Sequence, residues 1–487
     1  MRKFTIDIPA RREYILIAMI IPAERDMHTL RRKKNDTIMT DGSIAGHLIK
    51  FSLPLMVGYI FQQLYNTVDT FIVGRYVSMQ ALAAVGSTGS AIYTLIGFFM
   101  GFSVGAGVVI SQHFGAREDE KVHEAVHTAM CLAVIFGVVF TAVGYFGAPL
   151  MLSLMRTPAD VYSDALTYMR VYFSGSLGLL IYNLGSGILN AVGDSRHPLV
   201  FLVISAVINT CLDLLFVIKF HWGIVGVGLA TVIAELVSAL CVLFTLTRSR
   251  ESYRLELKKL KIYKPVLKRI VQIGLPSSLQ QMLVSFSNVF VQSYINAFQT
   301  PCIAGWASYT KIDAFTAVPQ QAISLAATTF VGQNIGAGKA DRAKKGTFTA
   351  LMLMIAAVVL IVIPLELFAE PLIRIFIDEK AGADAVEYGV AFLRAIAPLN
   401  LCLVGNSVLA GALRGVGDTK IPTLIQIASF IVIRQIYLAI ISGATDSPLL
   451  VGLGYPLGWL CASTALIFYY FFSGWEKRTA RKTPETA

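Results

Sequence analysis

Gln112-His113-Phe114-Gly115-Ala116 is rewritten later in the chain as Gln333-Asn334-Ile335-Gly336-Ala337, and Gly193-Asp194-Ser195-Arg196-His197-Pro198 as Gly417-Asp418-Thr419-Lys420-Ile421-Pro422. Working outward, Leu53-Pro54 recurs as Leu275-Pro276 and Tyr168-Met169-Arg170 as Phe392-Leu393-Arg394. Four anchors keep one order at an offset of 221 to 224 residues, which is the mark of an internal duplication. Almost everything between the anchors is apolar sequence of membrane-spanning length. The duplication therefore describes a two-lobed membrane protein whose lobes can rock about a shared cavity.

Composition agrees. Apolar residues make up 55% of the chain and charged residues 15%, and the mean hydropathy is +0.65, well above that of a soluble domain. A formal net charge of +11 would suggest a nucleic-acid binder in a soluble protein. Here the basic residues cluster in short loops between apolar runs and form no basic face, so no nucleic-acid partner is expected and the lipid bilayer is. The six cysteines lie in or at the ends of apolar segments with no C-x-x-C spacing, which gives no disulfide framework and no metal site. No G-x4-G-K-[ST] loop exists, since the stretch from Gly332 to Lys339 lacks both the spacing and the hydroxyl residue, so ATP hydrolysis is not expected. No cofactor is expected either.

Apolar runs near the roughly 20-residue spanning length fall at 49–74, 81–111, 125–148, 163–191, 198–219 and 223–247, then at 268–297, 302–334, 347–368, 386–413, 421–443 and 449–473. The expected fold is an all-α polytopic membrane protein of twelve transmembrane helices in two six-helix bundles. The boundaries read as a leader over 1–46, a first lobe over 47–247, a basic linker over 248–266, a second lobe over 267–473 and a tail over 474–487. In the leader, the apolar run Tyr14 to Ile21 is too short to span, and Met27 and Met39 both precede the repeat, so a functional leader and an over-extended start are both open. The stretch Arg248 to Arg269 carries nine Lys or Arg, Lys339 to Lys345 carries four and Lys477 to Lys482 carries four, against only Arg75, Arg156, Lys219, Arg374 and Lys380 on the other side. The positive-inside rule then puts both termini in the cytoplasm of a plasma-membrane protein. Six spans per repeat is even, so the repeats run parallel. The Gly-Asp-x3-Pro turns read as punctuation between helices, and Pro54, Pro276, Pro319 and Pro398 as kinks inside them.

Ionisable groups within spans are costly and mark cavities or ion paths. Gln62, Asn66 and Asp69 follow i, i+4, i+7 spacing on one face of span 1. Span 5 brings Asn209 and Asp213, one turn apart, and span 6 brings Thr231 and Glu235. At 1.5 Å rise, Asp69, Asp213 and Thr231 all fall roughly 7 to 12 Å from the outer end of their spans. Carboxylates brought together there, with Asn209 and Thr231, could take up a proton or hold Na⁺. The second half does not repeat this chemistry, because Asp69 maps to Val291 and Asn209 and Asp213 to Ile433 and Tyr437. It places Lys311, Asp313 and Arg434 near mid-depth instead, where an Asp313–Arg434 ion pair is the plain expectation and a substrate-facing charge the sharper one. Polar stripes at Gln281, Ser285, Asn288 and Gln292 on span 7, and at Asn183, Ser186 and Asn190 on span 4, read as cavity lining beside the packing roles such amides often take. Gln62, Asn66, Asn183, Glu235, Gln281, Asn288, Asp313 and Arg434 are thus the candidate substrate-cavity residues.

On Phe51-Ser-Leu-Pro-Leu55, Val68-Asp-Thr-Phe-Ile-Val-Gly74, Ile208-Asn-Thr-Cys-Leu-Asp213, Gly332-Gln-Asn-Ile-Gly-Ala-Gly338 and Leu413-Arg-Gly-Val-Gly-Asp418, the chain resembles the multidrug and toxic compound extrusion (MATE) family over about residues 45 to 475. The resemblance implies a V-shaped pair of bundles acting as a monomeric antiporter that exports amphipathic, often cationic, organic compounds against inward H⁺ or Na⁺. In the DinF-like branch of that family, the first-lobe cation site falls on Asp69, Asn209, Asp213 and Thr231. The second-lobe acidic residues of the NorM-like branch have no counterpart here. A lipid-linked precursor flippase of the same broad superfamily is the alternative, with Arg434 and Lys311 as its candidate head-group cations, and a channel or scaffold is a second. The drug is not named by the sequence, and the expected cavity is one lined by Met, Phe and Tyr that can repack around many compounds.

Overall fold

The computed structural model describes residues 37–155, 157–377, 382–445 and 447–476. The apolar run Tyr14 to Ile21, Met27, Arg156, Lys380 and the basic tail from Lys477 lie outside the described residues.

Twelve long helices follow one another among those residues. They are α1 (Ile44–Tyr76), α2 (Met79–Gly115), α3 (Asp119–Leu154), α4 (Ala159–Ser174 running on past Gly175 into Ser176–Ala191), α5 (Arg196–Lys219) and α6 (Gly223–Arg248). The second half gives α7 (Lys264–Ile295), α8 (Thr300–Gly336), α9 (Ala340–Leu367), α10 (Gly382–Val416), α11 (Lys420–Ala444) and α12 (Pro448–Phe472), with a short helix, Ala369–Phe376, after α9. Nine of the twelve are apolar and long enough to cross a membrane on their own. The exceptions are α4, broken at Gly175, and α7 and α8, which carry runs of Gln, Ser and Thr that face inward. The helices start where caps are available: Ser43 Oγ accepts from Gly46 N at the head of α1, and Ser78 Oγ from Ala81 N at the head of α2. Large apolar side chains such as Phe146, Leu360 and Phe472 are 74% or more exposed, which suits a surface solvated by lipid rather than water.

Pro54, Pro276 and Pro319 lie inside α1, α7 and α8 as expected, and Pro398 sits in a 3₁₀ turn, Ala397–Asn400, that bends α10. The turns between α4 and α5 and between α10 and α11 place Gly193 and Gly417 at φ +91° and +89°, the left-handed conformation that only glycine adopts without strain. Asp194 Oδ1 then accepts from the amides of Arg196 and His197 to cap α5, while Asp418 Oδ2 accepts from Tyr469 Oη at 2.7 Å.

The first helix of each repeat begins inside the core of the other. Leu48, Phe51 and Leu55 of α1 are buried with Ala322, Ala326 and Phe330 of α8. Val266, Ile270 and Ile273 of α7 are buried with Val108, Val109 and Ala191 of the first lobe. The duplicated Leu-Pro pair lies at this crossover in both halves.

The other anchors meet one another. α2 and α8 end side by side, and their backbones touch: a Cβ on Gly115 would stand 1.9 Å from the carbonyl oxygen of Gln333, and one on Gly336 would stand 1.8 Å from that of Gln112. Each glutamine reaches the last turn of a helix in the opposite repeat. Gln112 Nε2 donates to Gly415 O of α10 at 2.8 Å, and Gln333 Nε2 to Ala191 O of α4 at 3.0 Å. Those carbonyls have no partner within their own helices, so the amides satisfy them. Gln112 Oε1 in turn accepts from Arg269 Nη2 at 2.7 Å, and Gln333 Oε1 from the amide of Met39 at 2.8 Å. The segment before α1 is held down by Asn334, Lys339 and Arg342, with Lys339 Nζ on Asp41 Oδ1 at 2.7 Å. Asp41 lies outside the spans, and that lysine keeps its carboxyl below the ordinary range.

A second seam runs deeper. Gly97, Gly101 and Gly105 repeat every fourth residue on α2 and present one bare stripe to α7. A Cβ on Gly101 would lie 2.2 Å from Ser278 N, and one on Gly105 2.7 Å from Gly274 N. Small residues let the two backbones approach, as they do where lipid supplies no hydrophobic drive between helices.

Alanine at Gly115 or Gly336 forces main chains apart, and overpacking of this kind costs about 1–3 kcal/mol. Thermal unfolding of the purified chain should show Gly115→Ala and Gly336→Ala melting clearly below the parent, whereas Gly86→Ala, with nothing within 4 Å, should melt with it. Equal midpoints for all three would mean that the crossing does not hold the lobes.

Candidate functional site

Asp213 is the last α-helical residue of α5 before a π-helical stretch, Leu214–Lys219, that widens the turn beyond it. Local π geometry of this kind recurs at functional sites, because it re-aims a side chain that a regular helix would leave against its neighbour. Asp213 is fully buried, with Asn209 and Thr231 at 1% and 5% exposure beside it. Asp69 arrives from α1, and its carboxyl stands next to that of Asp213. No hydroxyl, amide or guanidinium reaches Asp69 Oδ1 or either oxygen of Asp213. Asn209 Nδ2 donates to Thr231 Oγ1 at 3.4 Å, which leaves Asn209 Oδ1 without a partner. Asp69, Asn209, Asp213 and Thr231 are therefore brought together by the structure as one group.

The group is larger than depth along the sequence suggests. Tyr65, one turn before Asp69 on α1, lies beside Thr231. Glu235 stands on the same side of α6, next to Tyr172 and with its Oε2 unpartnered. Chemically, two neighbouring carboxyls with no donor need either a proton between them or a cation. Carboxylate, amide and hydroxyl oxygens are also the donor set of a hard cation such as Na⁺.

A separate cavity of about 460 Å³ lies between the bundles, walled by α1, α2, α4, α5, α7, α8, α10 and α11. Of the candidate cavity residues, Gln62, Asn183 and Gln281 line it, together with Ser186 and Asn190. Asn66, Glu235, Asn288, Asp313 and Arg434 do not. The expected Met, Phe and Tyr lining is also corrected. Met100, Tyr59 and Tyr182 are present, but most of the wall is amide, hydroxyl and small residues, because α7 and α8 turn their Gln, Ser and Thr faces inward. One formally charged side chain lines it, Arg414 of α10. Its Nη2 donates to Ser324 Oγ at 3.1 Å, and its buried Nε has no partner.

Comparison with known proteins now settles the family. The sequence profile described as MatE matches residues 54–215 and again 276–440, one match to each repeat. The chain belongs to the MatE family. Among MatE relatives it is 28% identical over 443 residues to a probable multidrug resistance protein, YpnP, of Bacillus subtilis, covering 90% of this chain and 97% of that one. It is 26% identical over 437 residues to a second, YoeA, of the same organism, covering 88% and 93%. A solved outward-facing multidrug resistance MATE family transporter superposes with a TM-score of 0.84 at 24% identity, covering 92% of this chain and 99% of the other. The all-helical two-lobe fold is that of these transporters.

In the second lobe of this MatE protein the expected Asp313–Arg434 ion pair does not form. Asp313 Oδ1 accepts from Asn400 Nδ2 and Thr316 Oγ1, each at 3.1 Å, because α8 turns it toward α10 inside the bundle. Arg434 follows the π-helical stretch Ala428–Ile433 and points toward α7 and α12, donating to Asn288 Oδ1 at 3.0 Å and stacking 4.9 Å from the Tyr455 ring. Lys311 lies over Phe376. Sequence reasoning missed Tyr65, Tyr172 and Arg414. The signal for Tyr65 was present, since it shares the i, i+4 register with Asp69, whereas Arg414 lay inside a motif that reads as punctuation.

Without a direct pair, Asp313→Asn and Arg434→Gln should act on stability independently. In thermal unfolding of the two single variants and the double variant, the coupling should stay below about 0.5 kcal/mol. A coupling of several times that value would restore the ion pair.

Proposed function

We propose that the chain is a secondary active multidrug efflux antiporter that exports amphipathic organic compounds, cationic ones among them, in exchange for H⁺ or Na⁺. It works as a monomer in the plasma membrane with both termini and the basic loops in the cytoplasm, following the excess of Lys and Arg on that side. The observation that carries this reading is the pair of neighbouring carboxyls, Asp213 fully buried and Asp69 half-buried, in one bundle with no donor on Asp69 Oδ1 or on either oxygen of Asp213. A proton or Na⁺ entering that pair from outside takes it from two negative charges to one and relieves the repulsion, and its departure toward the cytoplasm restores it. Loading therefore biases how α1 packs against α5 and α6, and with it the side to which the central cavity opens.

The energetic scale is adequate. One charge moving through 100 mV supplies about 2.3 kcal/mol, which sustains roughly a 40-fold gradient of a neutral substrate before any ΔpH is added. The names of the curated relatives support export of drugs.

Proteoliposomes with ΔpH and ΔNa⁺ imposed separately test the proposal. Parent protein should drive efflux of an amphipathic dye under at least one gradient. Asp69→Asn and Asp213→Asn, checked for a normal melting midpoint, should each lose at least about 90% of that rate, since removing a carboxyl from a proton- or ion-binding pair abolishes its coupling. Coupled efflux at the parent rate in both variants sinks the assignment.

A further inference from the structure

We propose that Arg414 is the substrate-charge receptor of the central cavity, so that the pocket favours amphipathic compounds bearing a carboxylate or another oxyanion over neutral or purely cationic ones. The assignment rests on the exporter reading above and names the substrate class of the same cavity.

Three observations carry it. First, the charge in the cavity wall is positive. Arg414 lines it, while Asp69, Asp213, Glu235 and Asp313 all lie outside that lining. These carboxylates therefore do not face this space, and an organic cation in it would meet a guanidinium.

Second, the guanidinium has no counter-ion among the described residues. It forms no salt bridge there, and Ser324 Oγ is the one side chain it hydrogen-bonds among those residues. Asp418, the nearest acidic residue along the chain, accepts from Tyr469. A guanidinium carries five N–H donors in a planar fork, so most of its donor capacity is free for a ligand. An uncompensated buried charge is destabilising, and an incoming oxyanion relieves it with short, charge-assisted, often bidentate hydrogen bonds.

Third, the same cavity wall offers a further free donor. Ser186 Oγ is buried without a partner. Ser186 also lines the cavity and can turn its hydrogen toward a bound oxygen. At the basic end, Arg269 holds Gln112 Oε1 at 2.7 Å and approaches Gly417, three residues beyond Arg414. The repeat shows where the specificity arose. Arg414 occupies the position that Asn190 holds in the first half, and both line the cavity, so the charge belongs to the second repeat alone.

Binding by the purified full-length chain tests the proposal. The probes are a matched set on one naphthalene ring system: a carboxylic acid, its methyl ester and the corresponding primary amine. The acid should bind about 10- to 100-fold tighter than the ester or the amine, the factor expected of hydrogen bonds to a charged group. Arg414→Gln should bring the acid to within about 3-fold of the ester, a loss of the same charge-assisted contact, and Arg414→Lys should keep part of the preference. Ser324→Asp, which leaves Arg414 in place but sets a carboxylate where a hydroxyl now accepts from its Nη2, should abolish the preference in the same way. It keeps the test decisive if Arg414→Gln does not fold. Equal affinities for acid, ester and amine, including no binding of any of them, or an acid preference that survives Ser324→Asp, overturn the assignment. Efflux of the acid in proteoliposomes separates the two readings. Selective binding without gradient-driven efflux would leave the receptor role standing and remove the antiporter, whereas coupled efflux with no charge preference would do the reverse.

Discussion

The structure depends on one place where main chain touches main chain. Gly115 lies on the carbonyl of Gln333 and Gly336 on that of Gln112, closer than any side chain would allow. This contact sets α2 against α8, and the two glutamine side chains then fasten each lobe to the end of a helix in the other, at Gly415 and at Ala191. Those two acceptors are themselves equivalent positions in the repeats. The contact is thus made twice, once from each half, and closes the molecule across its basic face while leaving room above it for the cavity.

Seen this way, the recurring strings of the sequence recur because they bind each other. The period, the twelve spans and the Gly-Asp-x3-Pro turns were legible, since apolar length and the demand for glycine at positive φ are local properties. What Gln112 and Gln333 do was not legible, because their partners lie 142 to 303 residues away. The meeting of Asp69 with Asp213 could be read from depth alone, as both lie a similar distance from the same end of their helices. Depth failed for Asp313 and Arg434, which share a level but not a direction: one faces α10 within its bundle and the other faces α7 and Tyr455. Arg414 escaped notice for a third reason. It stands in a string whose glycines and aspartate had a sufficient structural explanation.

The two functional regions are separate, and one helix links them. Gln62 of α1 lines the cavity, and Asp69 on the same helix meets Asp213 two turns further on, a rise of about 10 Å. Pro54 kinks α1 on the other side of Gln62, where the helix leaves the core of the second lobe. A change in the packing of α1 against α5 at the carboxyl pair is therefore carried along a single rigid element into the cavity wall and on toward the closure. This supplies a continuous physical path between ion and substrate, and it needs no contact between them.

Magnitudes decide whether such a path could work. The closure at the two glutamines consists of four hydrogen bonds between amides, backbone groups and one arginine. At about 0.5–1.5 kcal/mol net for each, the set is worth roughly 2 to 6 kcal/mol, because water replaces most of what is lost when they open. One or two charges crossing 100 mV deliver about 2.3 kcal/mol apiece, which is the same range. A closure built of buried salt bridges would behave differently, since breaking one strands a charge at a cost of about 3–5 kcal/mol. The chain instead keeps its ion pairs at the exposed rim, as at Asp41 and Lys339, and closes the centre with amides and bare glycine backbone. A gate of that composition is strong enough to hold the lobes together and weak enough to open on the energy that the proposed antiport would supply.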